Sequence, residues 1–277
     1  MSLEPNLQVG FLGAGNMARA IAGGLVQRGL VQAHQLGATD VHPPALDAFS
    51  SVAQGKARSF GSDNPALAQW ASLVILATKP FQAVEVCQSL APVWDDSKIL
   101  ISICAGIPTK RLEAALESAQ PRVLRVMPNT PALIGCGTAA VARGRFATAE
   151  DEALALRVFE AVGQAVALPE EKMDLVTGLS GSGPAYVYRF MEVLIQAGQD
   201  LGLTEQEAKT LVPGMVLGAA RMACESSTPL HELRAAVTTK GGTTAAGLRI
   251  LEEGGLDDLI LETVRAATLR SQELAQS

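Results

Sequence analysis

VGFLGAGNMARAIAGGL, residues 9–25, joins a short apolar run to an amphipathic one through Gly13, Ala14 and Gly15. Parsed as strand, tight turn and helix, it gives each glycine a task. Gly13 permits the turn, and Gly15 lets a pyrophosphate approach the backbone. Ala18 stands where a third small residue lets helix and strand pack closely. The start of the helix would then offer free N–H groups and a partial positive charge to phosphates. Because the motif follows a strand, opens a helix and begins a βαβ pattern, it points to dinucleotide binding rather than to a merely structural turn.

Working outward, the same texture continues to about Leu168. The candidate strands are LQVGFLG, QLGAT, KARSF, ASLVILAT, KILISICAG, RVLRVMP, GTAAVARG and AVAL, separated by segments long enough for crossover helices. Strands buried on both faces are nearly continuous in their hydrophobicity, as most of these are. The first half therefore reads as α/β, a doubly wound Rossmann-type parallel sheet. Asp40 lies where an acidic side chain would accept hydrogen bonds from the adenosine ribose of NAD and repel the extra phosphate of NADP. It also fits a surface turn before His42-Pro43-Pro44, so cofactor preference stays open from these residues.

After Pro169 the strand signal ends. GPAYVYRFMEVLIQAGQDLG predicts a helix that is apolar on most sides, and LTEQEAKTLVPGMVLGAARMACES opens with Thr204 and Glu207 in capping-box spacing. Pro213-Gly214 predicts a kink inside it, and DDLILETVRAATLRSQELAQS supplies a final amphipathic helix. We expect two domains, a dinucleotide-binding domain over 1–168 and an all-α domain over 169–277. So few residues cannot cover helices this apolar, which points to a subunit interface and hence a homo-oligomer, with packing against the first domain as the alternative.

Composition excludes other classes. The chain has 277 residues, 48% of them hydrophobic and 18% charged, which suits a folded chain with ample core. A net charge of -6 without a Lys/Arg cluster argues against nucleic acid. No run reaches the roughly 18 apolar residues of a membrane span, and MSLEPNLQ lacks the regions of a signal peptide, so a cytoplasmic protein is expected. Cys87, Cys104, Cys136 and Cys224 form no C-x-x-C pair and read as four buried thiols. His34, His42 and His231 have no ligand spacing, so no metal is expected.

VTTKGGTTAAGL, residues 237–248, is poor in acid-base chemistry yet lies between two helical patterns. Gly241 and Gly242 free the backbone to turn, and the N–H groups of 241–244 would form a concavity for a carboxylate. Thr239 and Thr243 add hydroxyl donors. The same features also fit an N-cap and tight turn with incidental threonines. With GFLGAGNMARAIAGGL, LVILATKP, ISICAGI, RVMPNTP and GLSGSGPAY in matching order, this segment resembles the pyrroline-5-carboxylate reductase family across almost the whole chain.

That resemblance implies hydride transfer from a reduced nicotinamide, usually NADPH with NADH as the alternative, to the C=N carbon of 1-pyrroline-5-carboxylate, giving proline. It implies Thr244 as the hydroxyl that holds the ring nitrogen, and Thr239, Gly241, Gly242 and Thr243 as substrate-binding. Asn16, Met17, Asn64, Ala77, Thr78, Lys79, Pro80, Ala105 and Asn129 match positions lining the cofactor, alongside Gly13, Gly15 and Asp40. Asn64 also fits a helix cap, Pro80 a helix start and Asn129 a turn. Relatives of this kind form dimers through the terminal helices, and many assemble further into decamers. Two departures stand out: Lys240 replaces a common proline, and Asp40 replaces the small hydroxylic or basic residues of NADPH users. A β-hydroxyacid dehydrogenase would carry a lysine where this chain has Val187, and so would lack its acid-base residue. A sensor that binds the dinucleotide without turnover would have no use for the complete Thr/Gly loop.

Overall fold

β1 (Val9–Leu12), β2 (Leu36–Thr39), β3 (Arg58–Ser59) and β4 (Leu73–Leu76) are joined by β5 (Ile99–Ser102), β6 (Arg122–Met127), β7 (Gly137–Arg143) and β8 (Gly163–Ala167) in one sheet. The computed structural model describes Leu3 and residues 7–276. Strand order is β3-β2-β1-β4-β5-β6-β7-β8, with the order of succession reversing between the parallel neighbours β1 and β4. Helices α1 (Asn16–Gln27), α2 (Pro43–Val52), α3 (Asn64–Trp70), α4 (Ala83–Leu90), α5 (Thr109–Ala115) and α6 (Ala149–Glu160) cover its two faces.

The continuous apolar runs are explained by this double covering. Side chains alternate across a strand, so Phe11, Ile75, Ile101 and Leu124 enter the core that also holds Ile21, Phe49 and Phe159. Their neighbours Leu12, Leu76, Leu100 and Val123 enter a second core with Leu67, Cys87 and Leu112.

Two strands, β7 and β8, depart from the all-parallel expectation. β7 runs antiparallel to β6, and β8 is parallel to β7. The reason is chain length: a parallel crossover needs about a dozen residues or more, whereas residues 128–136 hold only a 3₁₀ turn over Thr130–Ile134.

The remaining helices are α7 (Met173–Val176), α8 (Gly183–Asp200), α9 (Glu205–Glu225), α10 (Leu230–Ala236), α11 (Thr243–Glu253) and α12 (Leu256–Gln276). The chain divides into two compact units: the described residues up to Ser182 with those from Ala266 on, and Gly183–Arg265. Thr204 accepts from Glu207 N–H and Glu207 accepts from Thr204 N–H, the reciprocal cap expected for α9. The helix then continues through Pro213 without a break in its assignment.

In the second unit, Ala208 is the sole buried residue among those described. Phe190, Leu211, Met215 and Ile250 are all exposed there. A helical unit without an interior of its own must be covered by something else.

A charge cluster locks the first unit. Arg125 on β6 is 4% exposed and pairs with Asp174 at 3.0 Å and Glu170 at 3.9 Å. Ser271 Oγ of α12 donates to Asp174 at 2.9 Å, and Thr109 donates to Glu170 through both N–H and hydroxyl. Arg125→Met would strand two partly buried carboxylates, and should lower unfolding free energy by about 2–3 kcal/mol. Guanidinium denaturation measures this. A loss below about 0.5 kcal/mol would show that the cluster is fully solvated.

Candidate active site

A cavity of about 540 Å³ opens at the carboxyl ends of β1, β2 and β4, where the strand order reverses. It is lined by Gly13, Gly15, Asn16, Met17, Asp40, Asn64, Ala77, Thr78 and Lys79, all singled out from the sequence. The crevice outside the strand ends at such a reversal is where open α/β sheets bind ligands.

The two glycines have different reasons for being there. Gly13 has φ +98°, and a Cβ on it would sit 2.8 Å from the carbonyl oxygen of Ala77. The fold itself therefore demands glycine. Gly15 has φ −68° and ψ −175°, an ordinary extended conformation, and a Cβ there would meet nothing within 4 Å. The fold does not need glycine at 15, so a ligand's close approach is the remaining reason for it.

α1 begins at this point without a side-chain cap and without an acidic residue in its first turn. The first backbone bond returning to the loop is Arg19 N–H to Gly15 C=O, which leaves the N–H groups of residues 16–18 without acceptors among the described residues. Three free donors and the helix dipole fit a pyrophosphate.

Asp40 is wired into the same loop. Its Oδ2 accepts from the N–H of Ala14 at 2.8 Å, and its Oδ1 accepts from the N–H of His42 at 2.8 Å. Asn64 is not a helix cap: Asp63 caps α3 by accepting from Ala66 N–H, while Asn64 accepts from the Thr39 hydroxyl at 2.7 Å. Its amide nitrogen remains as a donor beside the cavity.

Three sequence candidates do not line the cavity: Pro80, Ala105 and Asn129. Pro80 is exposed and starts a 3₁₀ turn, as its alternative role had it, and Ala105 is half-buried in the loop after β5. Asn129 Oδ1 accepts from Thr138 N–H at 2.9 Å, while Nδ2 donates to Ser180 C=O at 3.1 Å. It thereby ties the end of β6 to a π-helical turn over Thr177–Gly181, a feature absent from the sequence reading of GLSGSGPAY. Gly181 is close-packed there, since a Cβ would lie 2.5 Å from Met127 Cε.

The cysteines offer no nucleophile in the cavity. Cys104 packs beneath it with Sγ 3.4 Å from Thr78 C=O, and burial pushes its thiol up. Burial, with Cys104 nearby, pushes Cys87 up to about 12. Cys136 and Cys224 are exposed, which corrects the expectation of four buried thiols. Cys136 follows the 3₁₀ turn after β6, and Cys224 lies near the end of α9, in the unit whose apolar side chains stay exposed.

In the second unit, residues 237–248 form a turn and the start of α11. Gly241 takes φ +74°. Gly242 is the N-cap, and its own N–H is spent on Thr239 C=O at 3.0 Å, so it is not part of the free concavity. The first return bond is Ala246 N–H to Gly242 C=O, leaving residues 243–245 as free donors among the described residues. No side chain caps α11 and no acid lies in its first turn. Thr238 donates its hydroxyl to Arg234 C=O, whereas those of Thr239, Thr243 and Thr244 have no partner among the described residues. The loop can therefore hold an anion and offer hydroxyls. Lys240 is exposed in the turn.

The sequence missed Thr39, Val41, Ser62, Gln82 and Val86, which complete the cavity wall. Thr39 left a signal, being the one hydroxyl at the end of the otherwise apolar run LGAT. Val41 and Ser62 sit in turns, where periodicity says nothing about facing, while Gln82 ends a 3₁₀ turn and Val86 lies on α4.

Sheet order, glycine loop and cavity together define a Rossmann-type, dinucleotide-dependent oxidoreductase. Two family models match, "NADP oxidoreductase coenzyme F420-dependent" over residues 8–106 and "Pyrroline-5-carboxylate reductase dimerisation" over 170–274. The pyrroline-5-carboxylate reductase of Methanosarcina acetivorans is 38% identical across 98% of this chain and 99% of its own. That of Pseudomonas aeruginosa is 39% identical over 97% of each. The structure of the Coxiella burnetii enzyme superposes with TM-score 0.91 at 34% identity, covering 98% of this chain and 100% of that one. A Plasmodium falciparum pyrroline carboxylate reductase with NADP bound gives 0.83 at 30% identity, covering 98% and 99%. The chain belongs to the pyrroline-5-carboxylate reductase family.

Proposed function

We propose that the protein reduces 1-pyrroline-5-carboxylate to proline with NAD(P)H, the last step of proline biosynthesis. The observation that carries this is the uncapped, acid-free start of α11, with free N–H groups on residues 243–245 beside three uncommitted threonine hydroxyls. Family membership supplies the reaction class. When bound, the reduced nicotinamide supplies the hydride.

The residues of this chain bind and orient. The start of α1 holds the pyrophosphate across Gly15, and Asp40 and Asn64 take the adenosine ribose. The start of α11, with Thr239, Gly241 and Thr243, holds the substrate carboxylate, and Thr244 hydrogen-bonds the ring nitrogen. A cyclic imine accepts hydride most readily once protonated, which solution can accomplish, so positioning and charge stabilisation replace a proton-donating side chain. Faster loss of the near-ultraviolet absorbance of reduced nicotinamide on adding 1-pyrroline-5-carboxylate tests the proposal. No change in rate over a small panel of cyclic imines would refute it.

We assign dinucleotide binding to residues 1–168 and dimerisation with substrate binding to 169–277. The two family models fall one in each range. The apolar surface of the helical unit supports a homodimer, with the decamer as its higher assembly. Leu211 and Met215 lie four apart on α9 and are 58% and 52% exposed. Changing both to Glu should convert the dimer to monomer by light-scattering mass, because two carboxylates cannot be buried unpaired in an apolar interface. An unchanged mass would remove α9 from the interface. Four unpaired cysteines suit a reducing cytoplasm. Among the described residues, no helix is long and apolar enough to cross a membrane.

A further inference from the structure

We propose that this chain selects NADH over NADPH, through a carboxylate at Asp40 that the glycine loop holds in place. The inference rests on the dinucleotide reading above and specifies its cofactor.

Asp40 is fixed from three directions. Ala14 N–H and His42 N–H each hold one carboxylate oxygen at 2.8 Å, and its own N–H donates to Gly61 C=O at 2.8 Å. All these partners are backbone groups, so no rotamer change elsewhere releases the side chain. Swinging it aside would also leave the N–H of Ala14 unpaired in a residue that is fully buried.

The held carboxylate still has capacity. It has about four acceptor positions, of which these bonds use two, so ribose hydroxyls can donate to the others. A phosphate on that ribose would instead place about −1.5 to −2 charges beside a carboxylate that cannot retreat.

Among the described residues, no cation lines the cavity at its β2 side. Lys79 is, among the described residues, the one cation of the cavity wall, and it follows β4, on the far side of β1 from β2. Two strand spacings put their ends roughly 10 Å apart. Arg58 of β3 stacks over Phe60 at 4.7 Å, and Arg19 bonds Asn16. The residue after Asp40 is Val41, 84% exposed, where NADP sites commonly need a donor or a charge. His42 is exposed at the start of α2 and is the remaining titratable group in this turn.

The test is fluorescence titration of NADH and NADPH at about pH 8, above the range in which imidazole titrates. The wild-type protein should bind NADH roughly tenfold or more tightly than NADPH. Asp40→Asn removes the charge while keeping one acceptor, and should bring the two affinities to within about threefold. Asp40→Ala removes the charge and both acceptors, so the ratio should fall as in Asp40→Asn while NADH affinity and Tm drop further, which separates the hold on the loop from the charge effect. The proposal is overturned if the wild-type protein binds NADPH as tightly as NADH, or if Asp40→Asn leaves the ratio unchanged. Binding of neither cofactor would overturn the dinucleotide reading with it. Selective NADH binding without turnover of the imine would refute the substrate assignment alone and support the selectivity proposed.

Discussion

Gly15→Thr should yield a protein that folds normally and has lost its dinucleotide. Threonine suits the position on every local ground: φ −68° with ψ −175° is a β-region conformation, and the residue is the N-cap of a helix with no side-chain cap. Threonine is a favoured N-cap, and no atom lies within 4 Å of the new Cβ. Tm should therefore hold or rise by a degree or two. The same Cβ occupies the space into which a pyrophosphate must come to reach the N–H groups of residues 16–18. Displacing an anion by an ångström or more from three such donors should weaken binding by roughly 100- to 1000-fold. Titration of reduced nicotinamide fluorescence beside a thermal melt reads both quantities. Gly13→Ala is the contrasting control, because φ +98° and the 2.8 Å approach to Ala77 C=O make alanine destabilising by about 2–4 kcal/mol. A Gly15→Thr protein with wild-type affinity would mean that the cavity holds something other than a dinucleotide.

Thr244→Ala is expected to lower kcat by about 100- to 1000-fold, the usual effect of removing one donor aimed at developing charge. Thr244 lies in the first turn of α11, half-buried, and its hydroxyl makes no bond among the described residues, so little folding energy is lost with it. Dinucleotide affinity should stay within about twofold, since the residue lies outside the cavity wall. Thr244→Ser keeps the hydroxyl and should recover most of the rate, which a packing defect would not allow. Unchanged steady-state kinetics in the alanine variant would move the catalytic assignment to Thr239 or Thr243.

The fold was legible where one interaction decides it. The central strands β1, β2, β4 and β5 announced themselves because they are buried along their whole length, which leaves few polar positions to interrupt an apolar run, whereas β3 is exposed and β8 largely so. The glycine loop was legible because Gly13 answers to backbone geometry, a constraint no other residue type meets. The reversal of β7 was harder to see, since it depends on counting residues 128–136 as too few for a crossover, while the apolar pattern of a strand is the same in either direction. Asn64 and Asp63 are adjacent and both favoured at helix starts, so composition could not say which one caps. Asn129 illustrates a further gap: its partners Thr138 and Ser180 are 9 and 51 residues away, beyond anything local spacing encodes. Of the donors expected on residues 241–244, those of 243 and 244 are free as foreseen, but the loss of the Gly242 N–H to Thr239 and the addition of residue 245 required the turn itself.

The near-absence of an interior in Gly183–Arg265, where Ala208 stands alone, makes the protein's stability a property of its concentration. If a second copy provides the missing core, mass action ties folding to encounter, and dilution by itself acts as a denaturant. The melting point of such a molecule is then a titration endpoint, shifting with the amount of chain in the tube.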